Sequence, residues 1–251
     1  MIVVKQYGEP RTGTNVLRKL LSDERSGPLV LMHALGDKHS PPAPFAHVWS
    51  QVRGHPDAAF EFLHRTTMAR PADTTDPHDP EQARFLRQWA SPVAEAYRSG
   101  TLHAVVSVRA PRSWLASLWR FEVRALRRPP TTPADAIARY TRNYRSWLAL
   151  RKAGLRVLVV RCEDLVEGCG RTMQRLRTEL GLAADVRPAV LPDLPVRPCP
   201  WDHRCPALET ASPSPRDQPP MGREHKRAIE RALGHVDDGL MRRLGYGTDG
   251  P

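Results

Sequence analysis

Lysine is scarce in this chain: only five of its 38 basic residues are lysine, and the rest are arginine. Long apolar runs are missing too. The stretches around Ile2, Leu29, Ala104 and Val157 fall far short of the roughly 20 residues a membrane helix needs, which excludes a helical span. The opening Met1-Ile2-Val3-Val4-Lys5 has no basic segment, extended apolar core or small-residue cleavage site, so a secretory leader is not expected and a cytoplasmic protein is. The four cysteines, Cys162, Cys169, Cys199 and Cys205, form no CxxC pair and no finger-like set of four ligands. Cys199, His203 and Cys205 lie close in sequence. Free thiols are the favoured state there, ahead of a short disulfide, with a metal last. Internal repeats and heptads are absent, so a solenoid or coiled coil is excluded. What is abundant is positive charge, a formal +11 at pH 7. It favours anionic partners. Because the arginines spread along the whole chain, they suit solvated faces plus a few anion sites better than a nucleic-acid-binding stripe.

At 251 residues the chain can form one sizeable domain, 1–251, or at the limit two small ones; a single domain is expected. Residues 2–7 read as a buried strand ending at Gly8, followed by a helix carrying Val16, Leu17, Leu20 and Leu21. Residues 28–34 read as a second strand. The polar stretch 53–80, rich in Pro, Asp and Thr, reads as a surface excursion. A helix over 81–99 and a strand over 102–108 follow, then a helix after Pro111. The next helix is capped by Thr132, with Pro133 and Asp135 in its first turn; its apolar stripe is Ile137, Tyr140, Tyr144, Trp147 and Leu148, and Gly154 stops it. Residues 155–160 return as a strand and 170–181 as a helix. The Pro-rich segment 186–221 reads as an irregular loop, and helices resume over 222–234 and 236–244. Strands alternating with helices predict an α/β fold whose mostly parallel central sheet is flanked by helices. Ligands of such sheets bind beyond the carboxyl ends of the strands.

The first strand runs directly into Gly8-Glu9-Pro10-Arg11-Thr12-Gly13-Thr14-Asn15 and then a helix. Gly, four residues, Gly is the first part of a Walker A loop, where backbone N–H groups and a helix N-terminus face an anion. Thr14 and Asn15 stand where Lys and a Mg²⁺-holding hydroxyl would follow. The basic residue sits inside the turn instead, at Arg11, which suits an anion other than a γ-phosphate and no obligatory metal.

The run PRTGTN resembles the phosphosulfate loop of sulfotransferases that use 3′-phosphoadenosine-5′-phosphosulfate (PAPS), commonly PKSGTT or PRSGTT. The resemblance implies a P-loop nucleotide-hydrolase-like sulfotransferase fold. It also implies that Arg11 contacts the phosphosulfate and stabilises charge during transfer, with Thr12, Gly13, Thr14 and Asn15 as donors. Arg109 at the end of the 102–108 strand, Pro111 two residues later and Ser117 eight residues later match the family's 3′-phosphate site. The guanidinium there offers a planar fork of donors, and the helix adds a hydroxyl. Val160 to Leu165 (VRCEDL) resembles the family's RYEDL segment, with Cys162 where an aromatic residue often holds adenine. Residues 238–246 resemble the last helix of many bacterial members. An RKGxxG closing segment is missing, and Arg216 or Arg223 are its candidate substitutes.

Sulfuryl transfer requires a base for the acceptor proton and cations for the leaving phosphate. Gly36-Asp37-Lys38-His39 resembles a Gly-x-Lys-His segment of some sulfotransferase-like proteins. His39 is the expected base and Lys38 the expected partner for sulfonate or phosphate oxygens; a solvated polar turn is the alternative. Glu9 is the rival base. His33 is expected in the core, and His47, His64 and His103 follow no pattern. Loops at about 40–80 and 186–221 are expected to shape the acceptor pocket, with Trp49, Phe60, Phe62 and Trp201 as a candidate wall or as packing under loops. The expected chemistry is PAPS-dependent sulfation of a hydroxyl on a small-molecule or carbohydrate acceptor, leaving 3′,5′-ADP (PAP), without metal, membrane or nucleic acid. An ATP-dependent P-loop phosphotransferase is the alternative enzyme, and a basic nucleic-acid-binding protein the alternative of another class.

Overall fold

The computed structural model describes residues 1–22, 28–31, 34–68, 80–182 and 221–247. Its centre is a sheet of four parallel strands: β1 (Val3–Gly8), β2 (Leu29–Leu31), β3 (Leu102–Val108) and β4 (Arg156–Arg161). They lie in the order β2-β1-β3-β4. Every residue of β1 and β3 is buried, as expected of parallel strands covered on both faces. Alternation divides the core in two. Val3, Tyr7, Ala104, Val106 and Val108 face the larger cluster, whereas Val4, Val105, Leu158 and Val160 face a smaller one.

Helices fill both layers. The smaller cluster is closed by α1 (Thr14–Ser22) through Leu17, Leu20 and Leu21, together with Leu165, Met173, Leu176 and Leu180. The larger cluster draws on α2 (Phe45–Val52), α3 (Ala58–Met68), α4 (Pro80–Arg98), α5 (Pro111–Arg120) and α6 (Pro133–Ala149). A π-helical turn, Phe121–Ala125, extends α5, and a short 3₁₀ turn, Leu150–Ala153, extends α6. Thr132 caps α6 by accepting from the Asp135 N–H at 3.2 Å, and Gly154 ends the 3₁₀ turn in the left-handed region at φ 83°. Beyond β4 come α7 (Cys162–Leu180), α8 (Arg223–Leu233) and α9 (Asp238–Arg243).

Two expectations need correction. The stretch 53–80 is not wholly an excursion, because α3 occupies 58–68 with Phe62 and Leu63 fully buried. Its threonines misled the composition reading. Thr66 and Thr67 turn their hydroxyls onto the Phe62 and Leu63 carbonyls of their own helix and are thereby buried. Trp49, Phe62 and Tyr97 join α2, α3 and α4, with Trp49 edge-on to Phe62 at 5.3 Å and Phe62 stacked on Tyr97 at 5.1 Å. Phe60 stacks on His64. Trp49 and Phe62 thus pack helices together. The second correction concerns α7, which begins at Cys162, not 170, and bends at Gly168, where φ −156° and ψ 57° leave the helical region. The Cys162–Leu165 segment is therefore the helix's first turn. His33, the loop 186–220 with Cys199, Trp201, His203, Cys205 and Arg216, and residues 69–79 lie outside the described residues.

Registers align the carboxyl ends of the central strands: Gly8 is level with Ser107, and Val108 with Arg161. The chain leaves β1 for β2 on one side and returns to β3 on the other. That divergence makes a crevice beyond the ends of β1 and β3. Among the described residues no helix is long and apolar enough to cross a membrane.

Candidate anion-binding site

The loop after β1 is held tightly against β3. A Cβ on Gly8 would fall 2.2 Å from Ser107 Oγ and 2.8 Å from Ser107 O, so only glycine fits there. Thr12 is buried. Its hydroxyl donates to the Glu9 carbonyl at 2.7 Å and lies 3.1 Å from Ser107 Oγ. Arg11 (φ 73°) and Gly13 (φ 82°) both adopt left-handed backbone, which folds the turn back into α1 at Thr14. The first-turn N–H groups of α1 have no intrahelical acceptor and carry the positive end of its dipole. Gln6 Nε2 steadies this turn by donating to Thr14 O at 2.6 Å.

Arg11 belongs to the loop after β1 and Arg109 to the loop after β3, and both side chains reach α5 or its extension. The Arg11 Nε donates to Ser117 Oγ at 3.4 Å, and its guanidinium lies over the Phe121 ring, 5.3 Å from the centroid. Arg109 Nε donates to Ser113 Oγ at 3.2 Å. Burial and then the charge of Arg109 hold the Arg11 pKa below its usual value. Among the described residues neither guanidinium is paired with a carboxylate. Arg11 is exposed and Arg109 half-buried, and two like charges in one crevice are what an anion would neutralise.

The loop after β3 is anchored by Glu163 on α7. One carboxylate oxygen accepts from the Ala110 N–H and the other from the Tyr246 hydroxyl, each at 2.9 Å. Cys162 packs against the loop after β1, its sulfur 3.4 Å from where a Gly13 Cβ would stand. Burial pushes its thiol pKa up, although Arg109 and Arg11 pull the other way.

Lys38 and His39 enter from the loop after β2. Lys38 is buried, and its ammonium donates to Asn15 Oδ1 at 3.2 Å. His39 is half-buried, with Nδ1 2.5 Å from Gly8 O and its N–H on Asp37 Oδ1 at 2.8 Å. Glu9 points the other way. Its fully buried carboxylate accepts from Arg139 Nε at 3.1 Å and Asn143 Nδ2 at 2.7 Å. Burial raises its pKa, against the pull of Arg139 and Asn143.

All nine residues singled out in the sequence, Arg11 to Asn15, Lys38, His39, Arg109 and Ser117, gather beyond the ends of β1, β2 and β3. One detail differs: Ser117, paired with Arg109 by the motif, touches Arg11, while Ser113 holds Arg109. Arg223 opens α8 as an exposed residue. The frame behind the site went unread. From α6, Tyr140 donates to Arg109 O at 3.0 Å, Tyr144 to Ser107 O at 2.8 Å, Asn143 to His39 O at 3.2 Å and Trp147 to Ser40 O at 2.8 Å. Trp114 of α5 donates to Pro10 O at 2.9 Å. One helix thus fastens all three loops. The available signal was the stripe itself, whose aromatics carry a polar tip and flank Asn143 at helical spacing.

No family model matches the chain, and no curated protein does. Among solved structures it is similar to the sulfotransferase domain from the Synechococcus PCC 7002 olefin synthase, at 18% identity over 74% of each chain, with a TM-score of 0.39. A likeness of this size fixes neither family nor activity.

Proposed function

We propose that the chain is a sulfotransferase that takes its sulfuryl group from PAPS and delivers it to a hydroxyl of a small-molecule or carbohydrate acceptor, with PAP as the other product. The observation that carries this reading is the pair Arg11 and Arg109, which among the described residues have no carboxylate partner, at the crevice between β1 and β3. Two separate cationic points suit a nucleotide with phosphate at both its 3′ and 5′ positions. The donor supplies an activated sulfuryl group; the rest is the work of this chain's residues. Gly13 to Asn15 present the loop and helix N–H groups to the 5′ side, while Thr12, whose N–H and hydroxyl both donate to Glu9 O, holds the loop's shape instead of offering the expected donor. Arg11 and Lys38 offset charge on the leaving oxygen. Arg109, with Ser117 and Ser113 nearby, takes the 3′-phosphate. His39 accepts the proton that the acceptor hydroxyl loses as its oxygen bonds to sulfur. Nothing in this set requires a metal.

Calorimetry with 3′,5′-ADP and with ATP–Mg²⁺ tests the reading. Binding of 3′,5′-ADP without metal, retained in excess DNA, is the expected result. Tight ATP–Mg²⁺ binding with no response to 3′,5′-ADP would mean a phosphotransferase instead. Loss of the 3′,5′-ADP signal to DNA, with steep salt dependence, would mean a nucleic-acid-binding protein.

A further inference from the structure

We infer that Glu9 and Asn143 are positioning residues that hold the His39 ring in the tautomer with hydrogen on Nδ1, leaving Nε2 as the basic nitrogen. The inference deepens the proposed function, in which His39 is the base. It starts from the 2.5 Å contact between His39 Nδ1 and Gly8 O. A carbonyl oxygen only accepts, so Nδ1 must carry the hydrogen, and the lone pair of the neutral ring then resides on Nε2.

That contact is fixed from behind. The accepting carbonyl belongs to the Gly8–Glu9 peptide, whose direction is set by where the Glu9 side chain is anchored. The carboxylate is fully buried and clamped by Arg139 Nε at 3.1 Å and Asn143 Nδ2 at 2.7 Å. The same Asn143 amide nitrogen donates to His39 O at 3.2 Å, so one side chain holds the acceptor's peptide and the histidine's backbone together. Gly8 N donates to Lys38 O at 3.0 Å, and Asp37 Oδ1 accepts from His39 N at 2.8 Å. The β1 end and the Lys38-His39 segment are thus clasped in both directions. The charged groups around this clasp are Asp37 and Lys38 on its own loop, Glu9 from the phosphate loop, and Arg139 and Arg142 from α6. Both Glu9 oxygens are turned into α6. That orientation suits an anchor and does not suit a base meeting an acceptor.

The decisive measurement is ¹⁵N NMR of the His39 imidazole in the ligand-free protein, above the pH at which the ring titrates. Wild type should show the Nδ1–H form dominant. Asn143→Ala and the isosteric Glu9→Gln should restore a mixture led by Nε2–H, the form usual for a free side chain. A wild-type ring with hydrogen on Nε2 overturns the inference, as does an Nδ1–H form unchanged in both variants. Should Asn143→Ala not fold, Asn143→Ser and Glu9→Gln carry the same reading. In turnover, Glu9→Gln should lower kcat about tenfold while keeping the rising limb of the pH–rate profile. Loss of that limb would make Glu9 the base. Failure of 3′,5′-ADP to bind would defeat the sulfotransferase reading and leave the tautomer result intact, so the two fail separately.

Discussion

Arg11 Nε meets Ser117 Oγ at 3.4 Å, joining residues 106 positions apart. One belongs to the loop after β1 and the other to the helix after β3. Their contact spans the crevice created where the chain changes direction about β1. The two sequence motifs therefore come together at one crevice.

The separate roles proposed for the two arginines predict separate ligand effects. Arg109→Ala should weaken 3′,5′-ADP by about 2–3 kcal/mol, the usual range for a charge-assisted, partly desolvated contact. Adenosine-5′-phosphosulfate lacks the 3′-phosphate and should bind nearly as well as before. Calorimetry on both ligands decides the matter; equal weakening would move Arg109 to the 5′ side.

What could be read from the sequence follows from the range of the interactions concerned. The Gly8–Asn15 turn is local: strand, glycine spacing and helix lie within a few residues, so the loop and its place beyond β1 were legible. The same holds for Arg109 at the end of β3, and for Thr132 and Gly154 at the ends of their elements. Partners were not legible, because Glu9 finds Arg139 and Asn143 more than 100 residues away. Tyr140, Tyr144 and Trp147 read as core and are core, yet each polar tip also donates to a distant backbone carbonyl, Tyr140 and Trp147 to loops and Tyr144 to the end of β3. At α3 the polarity of Thr66 and Thr67 pointed outward, whereas self-bonded hydroxyls let them point inward.

Gly8 is expected to tolerate no side chain. Gly8→Ala would drive a methyl into Ser107, at 2.2 Å from its hydroxyl and 2.8 Å from its carbonyl. The carbonyl belongs to the central strand and has little room to yield. Overpacking of this kind costs about 1–3 kcal/mol. Gly54→Ala, with nothing within 4 Å, is the control and should change stability by less than about 0.5 kcal/mol. Denaturant midpoints of the two variants would test the contrast, and equal values would refute it.

Glu122 should make stability depend on acidity. This buried carboxylate accepts from Thr131 N at 2.7 Å, Thr131 Oγ1 at 2.7 Å and Arg128 NH2 at 2.6 Å, closing the loop that follows the π-helical turn. Burial works to raise its pKa, but the Thr131 and Arg128 contacts outweigh it and hold the pKa below the usual carboxylate value. A depressed folded-state pKa gives stability that is present above the unfolded value, about 4.3, and lost as pH falls through the folded one. Glu122→Gln should therefore cost about 1–3 kcal/mol near neutrality, with the gap to wild type closing in acid. Urea unfolding at a series of pH values reads this directly. A gap that widens in acid would reverse the sign and reject the assignment.

Arg11 carries the sharpest test of the chemistry, because its backbone and side chain can be separated. At φ 73° a residue with a Cβ is strained, and glycine is not. Arg11→Gly should therefore be more stable than Arg11→Ala by about 1 kcal/mol, although both lose the Ser117 contact and the packing on Phe121. Catalysis should ignore that difference. In the proposed sulfuryl transfer, negative charge builds on the leaving oxygen only as the S–O bond breaks, so both variants should lose kcat by about a hundredfold or more. KM for PAPS should rise by much less. Arg11→Lys keeps the charge but not the planar fork, and it should recover only part of the rate. Steady-state kinetics on the three folded variants distinguishes the possibilities. A large rise in KM with kcat preserved would make Arg11 a ground-state anchor and move charge stabilisation to Lys38.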